Sequence, residues 1–398
     1  MHRYRDLDPN IRADCVHSLG EWLRKFPAHF LSGDYLRYIG WVLSDSNTHV
    51  RLESVKSLVS LYTKEDYIVS LHSFTERFKP RLIEMATSDT ELSVRVAVIQ
   101  VLSAIDGHGL LEENQRAQLC LLVFDADAKV RKAVSNFVRG VWEETTEQRL
   151  VAKNKLTDNE RDRAGLKALA MLLLRWSREL DRDNVDETEG GNDAESSTQG
   201  DGPSSQREVA VAMSPLQKGR IALAVEALWD EVPAVSDWEA MIDLLLLDHS
   251  ARIGATNGEA PVTRRKKTKK PTDDMAVDEA WRLEESEEAL LLEVLVASMR
   301  KSKLEAVGGK KVCFLVLLRF SPVCNMIIDL SAQGEEENVA SEITRALTKC
   351  LPEFFAKHQT DEHRISVVLL MPEVMNLDIY LEMRMVTVCR QTDLIERK

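Results

Sequence analysis

One four-residue frame recurs four times in the first third of the chain: an Asp, then Val or Ile five residues later, Arg directly after it, and a bulky aliphatic residue eight positions beyond the Val or Ile. The frames are Asp6, Ile11, Arg12, Leu19; Asp45, Val50, Arg51, Leu58; Asp89, Val94, Arg95, Leu102; and Asp125, Val130, Arg131, Val138. Their intervals of 39, 44 and 36 residues lie within or near the period of HEAT and armadillo arrays, whose helical hairpins bury an apolar face only by stacking. The repetition predicts an all-α, armadillo-like HEAT-repeat superhelical solenoid.

The spacing within a frame has a mechanical interpretation. An Asp in a turn can accept backbone N–H bonds at the start of the next helix, and aliphatic residues eight positions apart lie on one helix face. The Arg lies beside that face, where it can bridge to the neighbouring repeat. The competing interpretation is an ordinary helical bundle in which the spacing is a coincidence.

Composition favours long helices joined by short connections, because 44% of the 398 residues are apolar and only 17 are Gly and 11 Pro. The most apolar stretch, from Val312 to Leu330, is interrupted by charged and polar residues and is too polar to span a membrane. The polar amino terminus carries no signal peptide. The six cysteines show no metal-ligand spacing. We therefore expect a soluble intracellular protein with reduced cysteines and no membrane partner.

The chain divides by composition into six segments. They are repeats over 1–143, a helical continuation over 144–180, an acidic linker over 181–205, a helical hairpin over 206–250 that turns at Pro233, a basic linker over 251–274, and C-terminal helical repeats over 275–398. Both polar linkers are predicted to be disordered. Helix breaks are predicted at Gly308-Gly309, Ser321-Pro322, Pro352 and Pro372. The chain begins and ends inside patterned sequence, which favours a fragment or a short gene model.

Basic residues form two groups despite the net charge of −13. The first, in the basic linker, suits a nuclear-import peptide or a loose phosphate contact, or is merely a solvated linker: Arg264, Arg265, Lys266, Lys267, Lys269 and Lys270. The second is a predicted ridge on the first repeats: Arg3, Arg5, Arg24, Lys25, Lys79 and Arg81. With no base-reading motif, any contact with duplex DNA should be to the backbone, without sequence preference. Arg12 is expected to be buried against its neighbouring repeat instead.

No motif of a catalytic or cofactor site is present. Gly308-Gly309-Lys310-Lys311 lacks the spacing and the Ser or Thr of a P-loop, and neither His-Glu-x-x-His nor Gly-x-Ser-x-Gly occurs. Paired carboxylates such as Glu284-Glu285 and Glu287-Glu288 are expected on a solvated face of a charged helix. The sequence therefore predicts a non-enzymatic protein without a cofactor.

Motifs in the first two repeats are specific enough to indicate a family. They are His2-Arg3-Tyr4-Arg5-Asp6, Leu19-Gly20-x-Trp22, Tyr35-Leu36-x-Tyr38-x-Gly40-Trp41-x-Leu43-x-Asp45 and Phe74-x-x-Arg77-Phe78-Lys79-x-Arg81. These motifs resemble the stromalin domain of the stromal-antigen subunit of cohesin. The resemblance is dense to about Asp89 and weaker to about Glu143, and it returns in the run from Met375 to Leu381.

The resemblance implies a non-catalytic scaffold subunit of cohesin that supports sister-chromatid cohesion and chromosome organisation in the nucleus. Members of the family bind the kleisin subunit, contact DNA, and recruit loading, release and protection factors. A surface pocket, completed by the kleisin, receives short motifs of the type Phe/Tyr-x-Phe. By the resemblance, the pocket positions in this chain are Tyr4, Trp41, Arg77 and Phe78, with Tyr38 and Arg37 beside them.

The aromatic spacing by itself leaves the pocket open to question. Tyr35, Tyr38 and Trp41 are three residues apart, so on a helix they drift around one side. Rings with a nearby Arg suit an aromatic peptide with an acidic flank. Spacing alone favours repeat-to-repeat core for these rings, whereas the resemblance implies a pocket at Trp41 and Phe78.

Two other classes of helical-repeat protein remain as alternatives. A karyopherin-like or general HEAT adaptor would bind a small GTPase or import signals. A regulatory subunit of a phosphatase or kinase would co-purify with catalytic activity. Ser196, Ser197, Ser204 and Ser205, among carboxylates, are hypothetical phosphorylation sites.

Overall fold

The computed structural model describes residues 2–31, 33–151, 156–189, 219–249, 278–317 and 324–381. Every regular element in these ranges is a helix, which confirms the all-α class. The chain forms two compact units. Unit 1 comprises Met1–Val141 and Trp176–Glu231, and unit 2 comprises Trp142–Arg175 and Val232–Lys398.

Helices α1 to α10 follow one another through the first 228 residues. They are α1 (Pro9–Lys25), α2 (Pro27–Phe30), α3 (Gly33–Val42), α4 (Thr48–Tyr62), α5 (Ile68–Ser88), α6 (Leu92–Gly107), α7 (Glu113–Cys120), α8 (Ala128–Leu150), α9 (Asp158–Glu189) and α10 (Arg220–Leu228), with 3₁₀ turns at His2–Arg5, Glu65–Tyr67 and Leu121–Phe124. In unit 1, α1 packs on α4 and α4 on α6, while α3 packs on α5. Alternate helices therefore stack on one another, as successive helical hairpins do in a HEAT array.

The aliphatic residues of the repeated frame form the interior of unit 1. Val50, Val94 and Val130 are fully buried, and so are Leu58 and Leu102. This burial confirms that the positions eight residues apart share the inward face of α4, α6 and α8. The frame thus places its aliphatic residues in the interior of the repeats.

In the first three frames the Arg reaches the Asp of the following repeat, which confirms the predicted bridge. Arg12 pairs with Asp45, Arg51 with Asp89, and Arg95 with Asp125. In the first two pairs Nε and Nη2, on one edge of the guanidinium, each donate to a different carboxylate oxygen at 2.7 to 2.8 Å. Bidentate pairing of this kind fixes orientation as well as distance. We call these three pairs the Arg–Asp ladder.

The Asp of the frame shapes the turn, but the helix cap is a different residue. Asp45 Oδ1 accepts the backbone N–H of Asn47 at 2.8 Å, and the Asn47 side chain in turn caps α4 by accepting the N–H of His49 at 2.9 Å. Arg51 Nη1 donates to the Asp45 carbonyl at 2.9 Å. The expected acceptance of a backbone N–H is therefore confirmed, with the cap itself two residues further on.

The ladder ends at the fourth frame. Arg131 donates to the carbonyls of Asp125 and Ala126, at 2.7 and 2.9 Å, and has no carboxylate partner among the described residues. Asp230, five residues before Val235 as in the earlier frames, pairs with Lys132 instead, at 2.6 Å. Ser stands at position 236, where the frame has Arg. Position 243, eight residues beyond Val235, is Asp rather than an aliphatic residue, so the frame does not recur here.

Unit 2 is organised around one long helix. Its elements after residue 231 are α11 (Pro233–Ser236), α12 (Trp238–Leu246), α13 (Glu285–Leu317), α14 (Cys324–His358), α15 (Glu362–Val368) and a 3₁₀ turn at Met371–Val374. Helix α13 packs against α12, α14 and α15. Its buried Glu288 pairs with Lys357 and with Arg364, the latter at 2.8 Å, and its buried Glu287 pairs with Lys167. The prediction of a solvated face for Glu287-Glu288 was therefore wrong, because basic side chains of other helices pair with both carboxylates inside this unit.

Two predicted helix breaks were wrong. Helix α13 runs through Gly308-Gly309, and α14 continues past Pro352 to His358. An interior Pro costs about 3 kcal/mol of helix propensity. Phe354 and His358 beyond Pro352 are fully buried, and their packing outweighs that cost. The break near Pro372 is confirmed, because a 3₁₀ turn at Met371–Val374 follows α15 and helical residues resume only at 377, whereas Ser321-Pro322 lies outside the described residues.

The predicted start of the acidic linker, at residue 181, lies too early in the chain. Helix α9 continues to Glu189, and Arg220 Nη1 and Nη2 each lie 2.8 Å from Asp181 Oδ1. Glu is also a good helix former, so acidity alone does not end a helix. The rest of this linker, with its serines, and the basic linker over 251–274 lie outside the described residues. Pro233 does mark a turn, at the start of α11.

No helix in the described ranges has the length and apolar character needed to cross a bilayer. Among the same residues, no cluster of three or more His, Cys, Asp and Glu side chains could hold a metal ion. Cys15, Cys120 and Cys350 are free thiols, of which the latter two are buried.

An aromatic and arginine cluster as candidate functional site

Three of the predicted pocket residues meet on the surface of unit 1. The ring of Tyr4 lies edge-on to Tyr38, with centroids 5.0 Å apart, and stacks on Trp41 at 6.0 Å. Tyr38 and Trp41 are edge-on to each other at 5.4 Å. Trp41 keeps 39% of its surface exposed. The three rings therefore form one open aromatic surface, which we call the aromatic cluster.

Local structure explains why these rings face outward. On α3, Leu36 and Ile39 are buried, so Tyr38 and Trp41 on the remaining faces are left at the surface. Tyr4 sits in the 3₁₀ turn His2–Arg5, and Arg12 Nη1 ties that turn to α1 by donating to the Asp6 carbonyl at 2.8 Å. The Arg–Asp ladder thus also holds the turn that carries Tyr4.

Two guanidinium groups lie over the aromatic cluster. Arg5 Cζ is 5.0 Å from the Tyr4 ring centre and 6.0 Å from that of Trp41, while Arg37 Cζ is 5.3 Å from Tyr38 and 5.6 Å from Trp41. Such cation–π contacts orient each Arg while leaving its N–H groups able to bind a carboxylate. Sequence reasoning had placed Arg5 in a DNA ridge, although its position next to Tyr4 was a signal for the cluster.

Phe78 and Arg77 come to the same region from α5. The Phe78 ring packs on Phe74 at 4.7 Å, and Arg77 Cζ lies 5.5 Å from the Phe78 ring centre. A Cβ built on Gly40 would lie only 2.2 Å from Phe78 Cζ, so the Phe78 ring rests directly on the α3 backbone, one residue before Trp41. Gly40 is therefore part of the site's construction, and the pocket prediction had not included it.

Tyr35 does not join the aromatic cluster. Its ring contacts Phe30 at 4.9 Å and His29 at 5.8 Å, and Phe30 in turn contacts Trp22 at 5.5 Å. Six residues at 3.6 per turn rotate Tyr35 about 120° away from Trp41 around α3. The drift that accompanies a three-residue spacing therefore separates the first ring from the third.

The predicted DNA-binding ridge divides into exposed and buried members. The Arg3 side chain is 71% exposed, and Arg24 and Lys25 are exposed while sharing the single carboxylate of Glu21. Together with Arg5 above Tyr4, these residues keep cationic groups at the surface.

The placement of Lys79 and Arg81 in the predicted DNA-binding ridge needs correction. Lys79 is buried and its ammonium group donates to the Leu110 carbonyl at 3.0 Å, while Arg81 pairs with Glu84 at 2.8 Å. The helical spacing of Lys79 from the buried Leu71 and Leu82 was a sequence signal for its burial. The first group of bases, Arg264 to Lys270, lies outside the described residues.

Two family profiles match the chain. The Stromalin conservative domain matches residues 5–79, and the cohesin subunit SCC3/SA HEAT-repeats domain matches residues 224–392. The first match covers Arg5 and the α3 and α5 residues of the site. The second lies almost entirely within unit 2.

Named relatives carry the same designation. The chain is 39% identical over 150 residues to cohesin subunit psc3 of Schizosaccharomyces pombe, covering 38% of this chain and 16% of that protein. It is 25% identical over 384 residues to Sister-chromatid cohesion protein 3 of Arabidopsis thaliana, and 24% over 394 residues to cohesin subunit SA-3 of Mus musculus, covering 96% and 97% of this chain. These alignments span only 28% and 25% of the two relatives.

A solved structure has the same fold. Cohesin subunit Scc3 from Z. rouxii matches with a TM-score of 0.58 at 19% identity, over 98% of this chain and 36% of that one. The HEAT-repeat architecture is thereby confirmed beyond the repeats of the Arg–Asp ladder.

Proposed function

Because the chain belongs to the SCC3/SA family of cohesin HEAT-repeat subunits, we propose that it acts as a non-catalytic scaffold of cohesin on chromosomes in the nucleus. In this role it supports sister-chromatid cohesion by holding the kleisin subunit, contacting duplex DNA and recruiting loading, release and protection factors. The chain spans at most 28% of the first relatives compared, so this role concerns the part of such a subunit that the chain represents.

The observation that carries the proposal is the aromatic cluster flanked by Arg5 and Arg37. An aromatic side chain of a Phe/Tyr-x-Phe motif would stack against the part of Trp41 that remains exposed beside Tyr4 and Tyr38. The two guanidinium groups would pair with acidic residues that flank the motif. Aromatic and Arg side chains are the types that dominate binding energy at interfaces.

The same surface supports a DNA contact of a simple kind. Arg3, Arg24 and Lys25 are exposed, and the two α1 bases share one carboxylate, so cationic charge remains for phosphate groups. Binding through such groups releases counterions and weakens steeply with salt. We propose backbone contacts without sequence preference, and we leave out Lys79, which is buried, and Arg81, which is only partly exposed and pairs with Glu84.

A binding titration tests the recruiting role. A fluorescent peptide carrying Phe-x-Phe and an acidic flank is added to the full chain in the presence of the kleisin middle region. Trp41→Ala combined with Phe78→Ala should weaken peptide binding at least about tenfold, because rings at the centre of an interface carry most of its energy. Kleisin binding, measured by pull-down, should stay intact.

The matched control is Trp22→Ala, which removes an exposed indole from the separate ring group around Phe30. It should leave the affinity for the peptide within about twofold of wild type. Equal binding of the peptide by wild type and by the Trp41 and Phe78 variant would refute the pocket. Failure of the chain to bind kleisin would refute the scaffold role itself.

A further inference from the structure

A cavity of about 340 Å³ lies inside unit 2 between α12 and α14. Its α12 wall comes from positions 238, 239, 242 and 243, and its α14 wall from 349, 350 and 353. Each set follows helical spacing, so one stripe of α12 faces one stripe of α14 across the cavity. The cavity is far from the aromatic cluster in sequence and belongs to the other unit.

The interior of this cavity is apolar and aromatic. Ile242 and Cys350 form its buried part, and the indole of Trp238 is half-buried beside them. Burial raises the pKa of the Cys350 thiol to about 11, so this side chain is neutral at physiological pH. These lining residues therefore offer apolar contact area to a hydrocarbon chain.

The rim of the cavity is negatively charged. Glu239 and Asp243 on α12 and Glu353 on α14 are exposed, and none of the three forms an ion pair or hydrogen bond with other described residues. Lys349 is the one basic residue of the lining, which leaves three carboxylates against one ammonium group. Acidic groups on both walls without a basic partner make the opening attractive to a cation.

We propose that this cavity is a docking site for a Lys or Arg side chain of a basic peptide segment in a partner protein. Long basic side chains combine an aliphatic stem with a cationic head, and the cavity lining combines the buried Ile242 and the partly buried Trp238 with exposed carboxylates. The volume suits one or two side chains rather than a folded domain. The site is independent of the proposed role of the aromatic cluster.

A titration with the full chain tests the proposal. The probe is a short fluorescein-labelled peptide of alternating Gly and Lys, and the matched probe carries norleucine, which keeps the stem and loses the charge. The Lys peptide should bind with saturation, and the norleucine peptide should bind at least about tenfold more weakly. Glu239→Gln with Asp243→Asn should reduce affinity for the Lys peptide by a similar factor, and Trp238→Leu should also weaken it.

The charge-matched control is Glu362→Gln with Asp378→Asn, two exposed positions of unit 2 outside the cavity lining. It should bind the Lys peptide like wild type. An equal loss of affinity in this control would show general electrostatic attraction and overturn the site. Should the α12 variant unfold, as judged by circular dichroism, Glu353→Gln on α14 supplies the same test from the opposite wall.

The chain's own bases at 264–270 are the competing occupant. Replacing all six of them with Gln should leave peptide affinity unchanged if the site serves a partner protein. A large gain in affinity for the Lys peptide would instead show that the chain fills its own cavity, which would overturn the assignment to a partner.

Discussion

At the scale of single residues, Gly40 determines how closely α5 approaches α3. Gly40→Ala would place a methyl group 2.2 Å from Phe78 Cζ and push the ring off α3. Overpacking of this kind costs about 1–3 kcal/mol. We expect Gly40→Ala to lower both the unfolding temperature and the affinity for the Phe-x-Phe peptide, measured by thermal denaturation and by titration.

Gly20 provides the control for this prediction. Its Cβ would meet Ser57 Oγ at the same 2.2 Å, but at the contact of α1 with α4 rather than beside Trp41. Gly20→Ala should therefore destabilise the fold while the peptide binds normally. If both variants lost peptide affinity equally, the effect would come from stability alone and Gly40 would have no special role at the site.

Two histidines of unit 2, the buried His358 and the partly buried His249, should respond oppositely to the same substitution. Neither ring nitrogen of His358 has a hydrogen-bond partner in the described residues, whereas His249 Nε2 donates to the Leu244 carbonyl at 2.9 Å and its Nδ1 accepts the N–H of Leu283 at 3.3 Å. An unpaired buried polar group costs about 1–3 kcal/mol. His358→Leu should stabilise the chain and His249→Leu should destabilise it, as measured by urea denaturation. Destabilisation of similar size in both would contradict this account.

At the scale of elements, the Arg–Asp ladder joins α4 to the turn before α6. Arg51 and Asp89 are both nearly buried, so removing one partner leaves an uncompensated charge and should cost about 3–5 kcal/mol. Arg51→Leu should destabilise strongly, and Arg51→Leu with Asp89→Leu should be less unstable than the sum of the two single changes. A double-mutant cycle by chemical denaturation measures the coupling, and strict additivity would show that the pair contributes nothing.

The ladder and the histidines predict two separate losses of stability on acidification. Burial opposes ionisation of Asp45 and Asp89, but hydrogen bonds from Arg12 and Arg51 and from backbone N–H groups hold their pKa below the ordinary value. A lowered carboxyl pKa contributes stability that is complete above the unfolded value of about 3.9 and is lost as pH falls through the folded pKa.

Burial lowers the pKa of His249 and His358, so their neutral forms are favoured in the folded state. Their contribution is complete above the unfolded value of about 6.5 and is lost as pH falls below it. Denaturation curves across pH should show a first decline below about pH 6.5 and a second below about pH 4. The decline below about pH 6.5 should be smaller in His358→Leu. An unchanged dependence of stability on pH in that variant would contradict the assignment of this decline to the histidines.

At the scale of the whole molecule, the regular parts of the fold were predictable because they depend on spacing. The intervals of the Asp, Val/Ile and Arg frame indicated stacked hairpins, and the bridge from Arg12 to the next repeat followed from its place beside the apolar face. Two features that depend on tertiary packing rather than on spacing were not predicted. Burial of Phe354 carries α14 through Pro352, and the contact of Gly40 with Phe78 joins two helices more than thirty residues apart in sequence.

The site was predictable to a similar extent and for the same reason. Tyr38 and Trp41 share a helix, and the resemblance supplied Tyr4 and Phe78 from other elements. Helical spacing from Leu71 and Leu82 indicated the burial of Lys79, but its hydrogen-bond partner, the Leu110 carbonyl, is a tertiary contact that no local pattern contains. Composition also misplaced the end of α9. The helix continues past Asp181 into acidic sequence, and Asp181 pairs with Arg220.

Photo-crosslinking tests the central claim most directly, since that claim is that stacked repeats present a ring-lined surface to aromatic motifs. A Phe-x-Phe peptide with benzoylphenylalanine at one anchor position is irradiated with the chain and the kleisin middle region, and the adducts are mapped by mass spectrometry. Adducts should concentrate on the peptides that contain Tyr4, Tyr38 and Trp41 and disappear in Trp41→Ala. Adducts confined to other surfaces, or unaffected by that substitution, would contradict the account.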